Sequence, residues 1–171
     1  MKTGKSNSQP VIRAFISEGF IGRTGLLFST WFGAGLSPKA SGTVGSLAAL
    51  PVIAAIHSLG DIYVGISLII LIPISIWASD ISRELLNKED PSEVVIDEVA
   101  GMMLTLFFMP LSWISYLLGF VLFRFFDILK PFPIGWVDKN IKGGAGIVLD
   151  DLVAGIFANI SLWVIYIFFK G

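Results

Sequence analysis

Cysteine is absent from the 171 residues. That removes disulfides, thiolate nucleophiles and thiolate metal sites together. Histidine occurs once, at His57, so histidine chemistry has a single place to go. Charge is scarce: 15% of residues are charged, where a soluble domain carries roughly a quarter. The net charge is −1 and no dense basic run occurs, which argues against nucleic acid as a partner. The first twenty residues mix Lys2, Lys5, Arg13 and Glu18 with short apolar pieces. They lack the uninterrupted apolar stretch of a secretory signal. Neither an internal repeat nor a low-complexity segment is visible.

What the chain has in excess is apolar surface. It is 54% hydrophobic, with a mean hydropathy of +0.81. Such a composition calls for lipid as solvent, and the length fits one domain spanning residues 1–171. A helix needs roughly 20 apolar residues to cross ~30 Å of hydrocarbon. Ser41 to Gly60, Ile62 to Ser79 and Leu152 to Phe169 carry no formal charge, and each is a candidate span. Thr24 to Pro38 is apolar but short, and is expected at the interface.

Val99 to Phe123 is also uncharged, but Met109-Pro110-Leu111-Ser112 interrupts it. Proline removes a backbone donor and ends or kinks a helix. The stretch is either one kinked span or a helical hairpin turning near Pro110. Counting Lys and Arg favours the hairpin. With five helical segments, eleven of the twelve basic residues fall on one side and only Lys170 on the other. With a single span the split is eight to four. Cytoplasmic loops are enriched in Lys and Arg. The expectation is an all-α polytopic membrane bundle of about 4–5 membrane-embedded segments. The first arm, Asp97 to Pro110, rises only about 21 Å, so it enters partway or sits inside the bundle.

The hairpin brings Asp97, Glu98, Asp127, Asp150 and Asp151 to one cytoplasmic face, beside Lys39, Arg124, Lys130 and Lys142. Ionisable groups at the ends of apolar helices are costly, and by default read as functional. Asp97-Glu98 opens a helix, where the dipole favours acids; a capping pair is the plainer reading. In Phe123-Arg124-Phe125-Phe126-Asp127-Ile128-Leu129-Lys130-Pro131, the charged residues stand three apart and share a helix face. That row is either an interfacial salt-bridge series, or Asp127 on a metal with Arg124 and Lys130 on phosphate oxygens. Asp150-Asp151 follows Gly143-Gly144-Ala145-Gly146, whose glycines allow a tight loop or a close backbone approach. Adjacent carboxylates repel unless a cation or hydrogen bonds offset them. Mg²⁺ is the natural cation, because it takes oxygen ligands and binds together with substrate phosphate. An N-cap is the competing reading. Gly42-Thr43-Val44-Gly45-Ser46 presents glycines and hydroxyls at a helix start, suited to an anion. It is not a Walker loop, because the lysine is missing.

Other residues read as structural. His57 is a polar helix-end residue, Ala154 and Ala158 have the spacing of a helix contact, and the five tryptophans suit interfaces or packing. Glu84 to Glu93, with Arg83 and Lys88, reads as a solvated loop.

Several motifs in order resemble the phosphatidylglycerophosphatase A family of bacterial inner-membrane enzymes. They are Phe32-Gly33-Ala34-Gly35-Leu36-Ser37-Pro38, Gly42 through Ala49, Asp97-Glu98 with Gly101, Phe123-Arg124 through Asp127, Lys130-Pro131-Phe132-Pro133-Ile134, and Gly143 through Asp151. The resemblance covers about residues 31–157, with 1–30 a cytoplasmic or interfacial segment. It implies a mainly helical fold and Mg²⁺-dependent hydrolysis of phosphatidylglycerophosphate to phosphatidylglycerol in the inner membrane. The matching roles are Asp97, Glu98, Asp127, Asp150 and Asp151 around Mg²⁺, directly or through water, with one of them as base or nucleophile. Arg124 and Lys130 would hold phosphate oxygens, and Thr43 and Ser46 the headgroup. The partners are this lipid substrate and membrane lipids. Three other classes stay open, one of them a small non-enzymatic membrane scaffold, which predicts no metal dependence. A transporter would spread its acids through the depth of the bilayer. Another Mg²⁺-dependent phospholipid enzyme, such as a CDP-lipid phosphotransferase, would carry a spaced Asp-Gly…Ala-Arg…Gly…Asp…Asp pattern, which is absent.

Overall fold

The computed structural model describes residues 8–170, and among these the regular structure is entirely helical. Its helices are α1 (Ser8–Ser17), α2 (Phe20–Ser29), α3 (Ser41–His57), α4 (Asp61–Leu86), α5 (Ile96–Thr105), α6 (Trp113–Leu129), α7 (Ile134–Asn140) and α8 (Gly143–Lys170). A single 3-10 turn, Ala34–Leu36, precedes α3. At 1.5 Å per residue α4 and α8 are about 39 and 42 Å long. These two are long and apolar enough to cross a membrane. Both outrun the apolar stretches read from sequence, because each continues through polar residues at one end. Their outward faces carry exposed Ile62, Ile69, Val164 and Ile167, which suits lipid rather than water.

The interrupted stretch is two helices, not one. The chain leaves helical geometry after Thr105 and restarts at Trp113, where Ser112 caps the new helix by accepting from the Ser115 N–H. The C-terminal end of α6 then lies beside the N-terminal end of α5, with Arg124 Nη1 3.8 Å from Glu98 Oε1. A hairpin has this geometry; a single kinked span does not.

Helix α5 is only ten residues long and forms the centre of the bundle; Ile96, Val99, Ala100, Met102 and Met103 are all buried. Its last carbonyls would be orphans in an apolar core. Asn159 of α8 solves this, donating from Nδ2 to the carbonyls of Thr105 (2.8 Å) and Phe107 (2.9 Å). Around α5 pack Ala49 and Ile53 of α3, Leu68 of α4, Phe123 of α6, and Ala154, Ala158 and Leu162 of α8. The expected small-residue contact at Ala154 and Ala158 is present, both being fully buried. At the end of the bundle away from the acids, His57 pairs with Tyr116 (Nδ1 to hydroxyl, 3.0 Å) and sits 3.2 Å from Asp61 Oδ1. His57 thus ties α3 to the starts of α4 and α6 as a structural residue. The α2 segment lies against the C-terminal part of α4, where the Ser29 and Ser82 hydroxyls meet at 2.6 Å.

Candidate active site

One pair of glycines decides where the acids meet. Gly101 lies one helical turn after Asp97, and Gly155 one turn after Asp151, so glycine and acid share a face on each helix. At the α5–α8 crossing a methyl on Gly155 would lie 2.5 Å from the Gly101 carbonyl oxygen, and one on Gly101 would lie 2.7 Å from the Asp151 carbonyl oxygen. Only glycine permits this backbone approach. Its result, one turn back, is a cluster in which an oxygen from each of Asp97, Glu98 and Asp151 lies within 4.8 Å of the others. Asp97 and Asp151 are 8% and 4% exposed.

A cavity of about 640 Å³ opens over this cluster. Asp127 and Asp150 complete its acidic wall, so all five acids expected from sequence line one cavity. The cations differ in how they are held. Arg124 Nη1 is 2.6 Å from Asp127 Oδ2, but the contact is not directed along an N–H bond. The buried Nη1 and Nε groups have no hydrogen-bond acceptor. Lys130 does not continue the helical face of Arg124 and Asp127, as its spacing suggested. It is the left-handed C-cap of α6 (φ 44°), and this turns its ammonium toward Asp138 Oδ1 of α7, at 2.7 Å, and Asp150 Oδ2 of α8. Burial alone would lower its pKa, but the hydrogen bonds to Asp138 and Asp150 outweigh that and hold it above the ordinary lysine value. On the loop before α5, Asp90 is held above the ordinary carboxyl range. Withdrawal from water is the main cause; Asp138 and Asp127 add to it, and Lys130 opposes it.

The start of α3 forms another wall. Its first helical hydrogen bond runs from the Val44 N–H to the Ala40 carbonyl. The N–H groups before it are the open end of a helix, suited to an anion. Ser41 and Gly42 line the cavity, and Gly42 sits against Glu98 Oε1 and Arg124 Nη1. Thr43 and Ser46 do not line it. Ser46 is fully buried, and its hydroxyl donates to the Gly42 carbonyl of its own helix at 2.8 Å.

Two local expectations change. Asp150 and Asp151 do not cap α8; they lie two turns inside it, and the cap comes from α4, where Asp80 Oδ1 accepts from the Gly144 N–H at 2.6 Å. Gly144 serves that joint, since a methyl there would strike the Ile76 carbonyl and Asp80. The run from Arg83 to Glu93 is not simply solvated. Arg83, Glu89 and Asp90 line the cavity, and Glu93 is 1% exposed and paired with Lys88 at 3.0 Å. Asp80 and Asp138 went unread in the sequence, and Asp90 was read only as part of the solvated run. Asp80 accepts from the Gly144 N–H of α8 and Asp138 of α7 accepts from Lys130, contacts that no local spacing marks.

The fold and cavity together define an all-helical protein suited to lipid, with a carboxylate-rich site that also holds unsatisfied cationic donors. The sequence model of the family described as phosphatidylglycerophosphatase A matches residues 27–166. The chain belongs to that family. It is 38% identical over 133 residues to phosphatidylglycerophosphatase A of Escherichia coli K12, covering 77% of each chain. It is 35% identical over 145 residues to the Haemophilus influenzae protein of the same name, covering 81% of this chain and 86% of that one. A Bacteroides thetaiotaomicron protein, provisionally named a phosphatidylinositol-3-phosphatase, is 37% identical over 152 residues, covering 82% and 94%. No solved structure matches.

Proposed function

We propose that this chain is a multi-pass, Mg²⁺-dependent phosphatase of the bacterial inner membrane. It hydrolyses phosphatidylglycerophosphate to phosphatidylglycerol and inorganic phosphate. The carrying observation is the cluster of Asp97, Glu98 and Asp151 beside Arg124. Asp97 Oδ1 and Glu98 Oε2 are buried without a hydrogen-bond partner, and so are Nε and Nη1 of Arg124, although Nη1 is within ion-pair range of Asp127. Buried carboxylates this close repel one another and call for a cation. The donor set is all oxygen, which fits a hard cation such as Mg²⁺. The names of the relatives support the lipid.

Asp97, Glu98 and Asp151 would hold the cation, with Asp127 and Asp150 beside them. Bound Mg²⁺ supplies positive charge against the phosphate monoester and against charge developing in the transition state. Arg124 donates Nε–H and Nη1–H to phosphate oxygens, which the open end of α3 also faces. Lys130, held between Asp138 and Asp150, adds a fixed positive charge. In hydrolysis an oxygen nucleophile bonds to phosphorus as the bond to the glycerol oxygen breaks, and that oxygen takes up a proton. One of the five acids serves either as base for water or as the attacking group, in which case water then cleaves the acyl phosphate to release inorganic phosphate and restore the carboxylate. Helices α3, α4, α6 and α8 would cross the bilayer, with α5 enclosed among them. The expected excess of Lys and Arg at the acid-bearing end supports a cytoplasmic site.

The test is phosphate release from phosphatidylglycerophosphate by purified protein in detergent, with Mg²⁺ and with EDTA. Release that requires Mg²⁺ and is lost in Asp97→Asn and Asp151→Asn is expected. Folded protein that releases no phosphate with any divalent ion would end this reading.

A further inference from the structure

The reacting phosphate accounts for only part of the cavity's positive charge. Arg124 and Lys130 face the inner acids, whereas Arg83 and Lys142 line the same cavity on its α4–α8 wall. Their own acid partners are weakly engaged. Arg83 Nη1 is 3.7 Å from Asp80 Oδ1, and that oxygen already accepts the Gly144 N–H at 2.6 Å. Lys142 Nζ reaches Glu89 Oε2 only at 4.0 Å, and both side chains are largely exposed. In addition Arg83 Nε is buried with no acceptor. Gly143, which follows Lys142 in the chain, lies against the same joint, since a methyl there would be 3.3 Å from Asp80 Oδ1. An unsatisfied guanidinium and a loosely paired ammonium lining one cavity make a ready place for a second anion.

We infer that Arg83 and Lys142 bind the phosphodiester joining the headgroup to diacylglycerol, while Arg124 receives the terminal monoester. This rests on the proposed reaction and adds to it a second, non-reacting phosphate subsite. Arg83 and Lys142 then act as specificity residues. They distinguish a lipid with two phosphates from a monoester with one, because the diester adds binding that a monoester lacks.

The product, phosphatidylglycerol, keeps the diester and has lost the monoester, so it is a probe for this subsite alone. Steady-state kinetics on phosphatidylglycerophosphate in mixed micelles with Mg²⁺, with phosphatidylglycerol as added inhibitor, are measured for the unaltered protein, Arg83→Gln, Arg83→Lys and Lys142→Gln. Loss of one charge-assisted contact is worth roughly tenfold to a hundredfold. The expected result for Arg83→Gln is a KM raised by that factor, a matching loss of inhibition by phosphatidylglycerol, and kcat within about threefold. Arg83→Lys recovers part of the loss, and Lys142→Gln shows a smaller effect in the same direction. A fall in kcat alone, or unchanged inhibition by phosphatidylglycerol in both glutamine variants, overturns the subsite while leaving the reaction standing. Absence of turnover in the unaltered protein overturns the reaction, and the subsite with it.

Discussion

Gly42→Ala separates catalysis from folding. Gly42 lies in the first turn of α3 and has an ordinary helical position, so alanine costs nothing in backbone geometry. The added methyl would overlap Glu98 Oε1 and lie 3.0 Å from Arg124 Nη1. Restoring an ordinary contact of 3.4 Å or more moves the Glu98 carboxylate by more than about 1 Å, a misplacement that can cost roughly a hundredfold in rate. Both atoms are the far ends of side chains facing a cavity, so retreat is cheap for the fold. Thermal unfolding in detergent is expected to stay within about 1 kcal/mol of the parent, while Mg²⁺-dependent phosphate release falls roughly a hundredfold. Gly155→Ala is the contrast: its methyl meets the Gly101 backbone carbonyl, which cannot retreat, so stability and activity fall together. Full turnover by Gly42→Ala, or activity loss explained by its unfolded fraction, would refute the reasoning.

Mg²⁺ should raise the unfolding temperature of the unaltered protein through linkage, and the rise should shrink in Asp151→Asn, as thermal scans with and without EDTA would show. Asp80→Ala leaves the Gly144 N–H uncapped and should cost about 1 kcal/mol in denaturant melts. Tyr116→Phe removes the partner of His57 at the end away from the acids; it should cost about 1 kcal/mol of stability with turnover retained. The Lys130 pKa is raised on folding, so its contribution to stability is complete below the unfolded value and is lost only as pH climbs through the folded one. The stability gap between the parent and Lys130→Gln should therefore still be present at about pH 9 and narrow only above about pH 10.4. A gap that closes near neutrality would contradict the Asp138–Lys130–Asp150 arrangement.

Much of the fold was legible because long uncharged runs make a strong pattern. Apolar runs marked α3, α4 and α8, and Pro110 with the count of basic residues marked the hairpin of α5 and α6. The five acids stood out because carboxylates are costly at the ends of apolar helices. Local spacing misled where a partner came from elsewhere. Lys130 looked like a third member of a helical row, yet it caps α6 in a left-handed conformation and faces α7 and α8. A cap was the competing reading of Asp150 and Asp151, and Asp80 of α4 holds that role instead.

Sequence alone therefore determined the helical class, the long apolar runs and the five acids, since composition, periodicity and the cost of buried charge are local properties. The tertiary structure decided which acids share oxygens within reach of one cation, and which cations are left with unused donors. Those outcomes depend on the Gly101–Gly155 crossing of α5 and α8, and on Asp80 pinning α8 to α4. Both contacts join residues far apart in the chain, and the backbone approach that fixes them has no counterpart in local spacing.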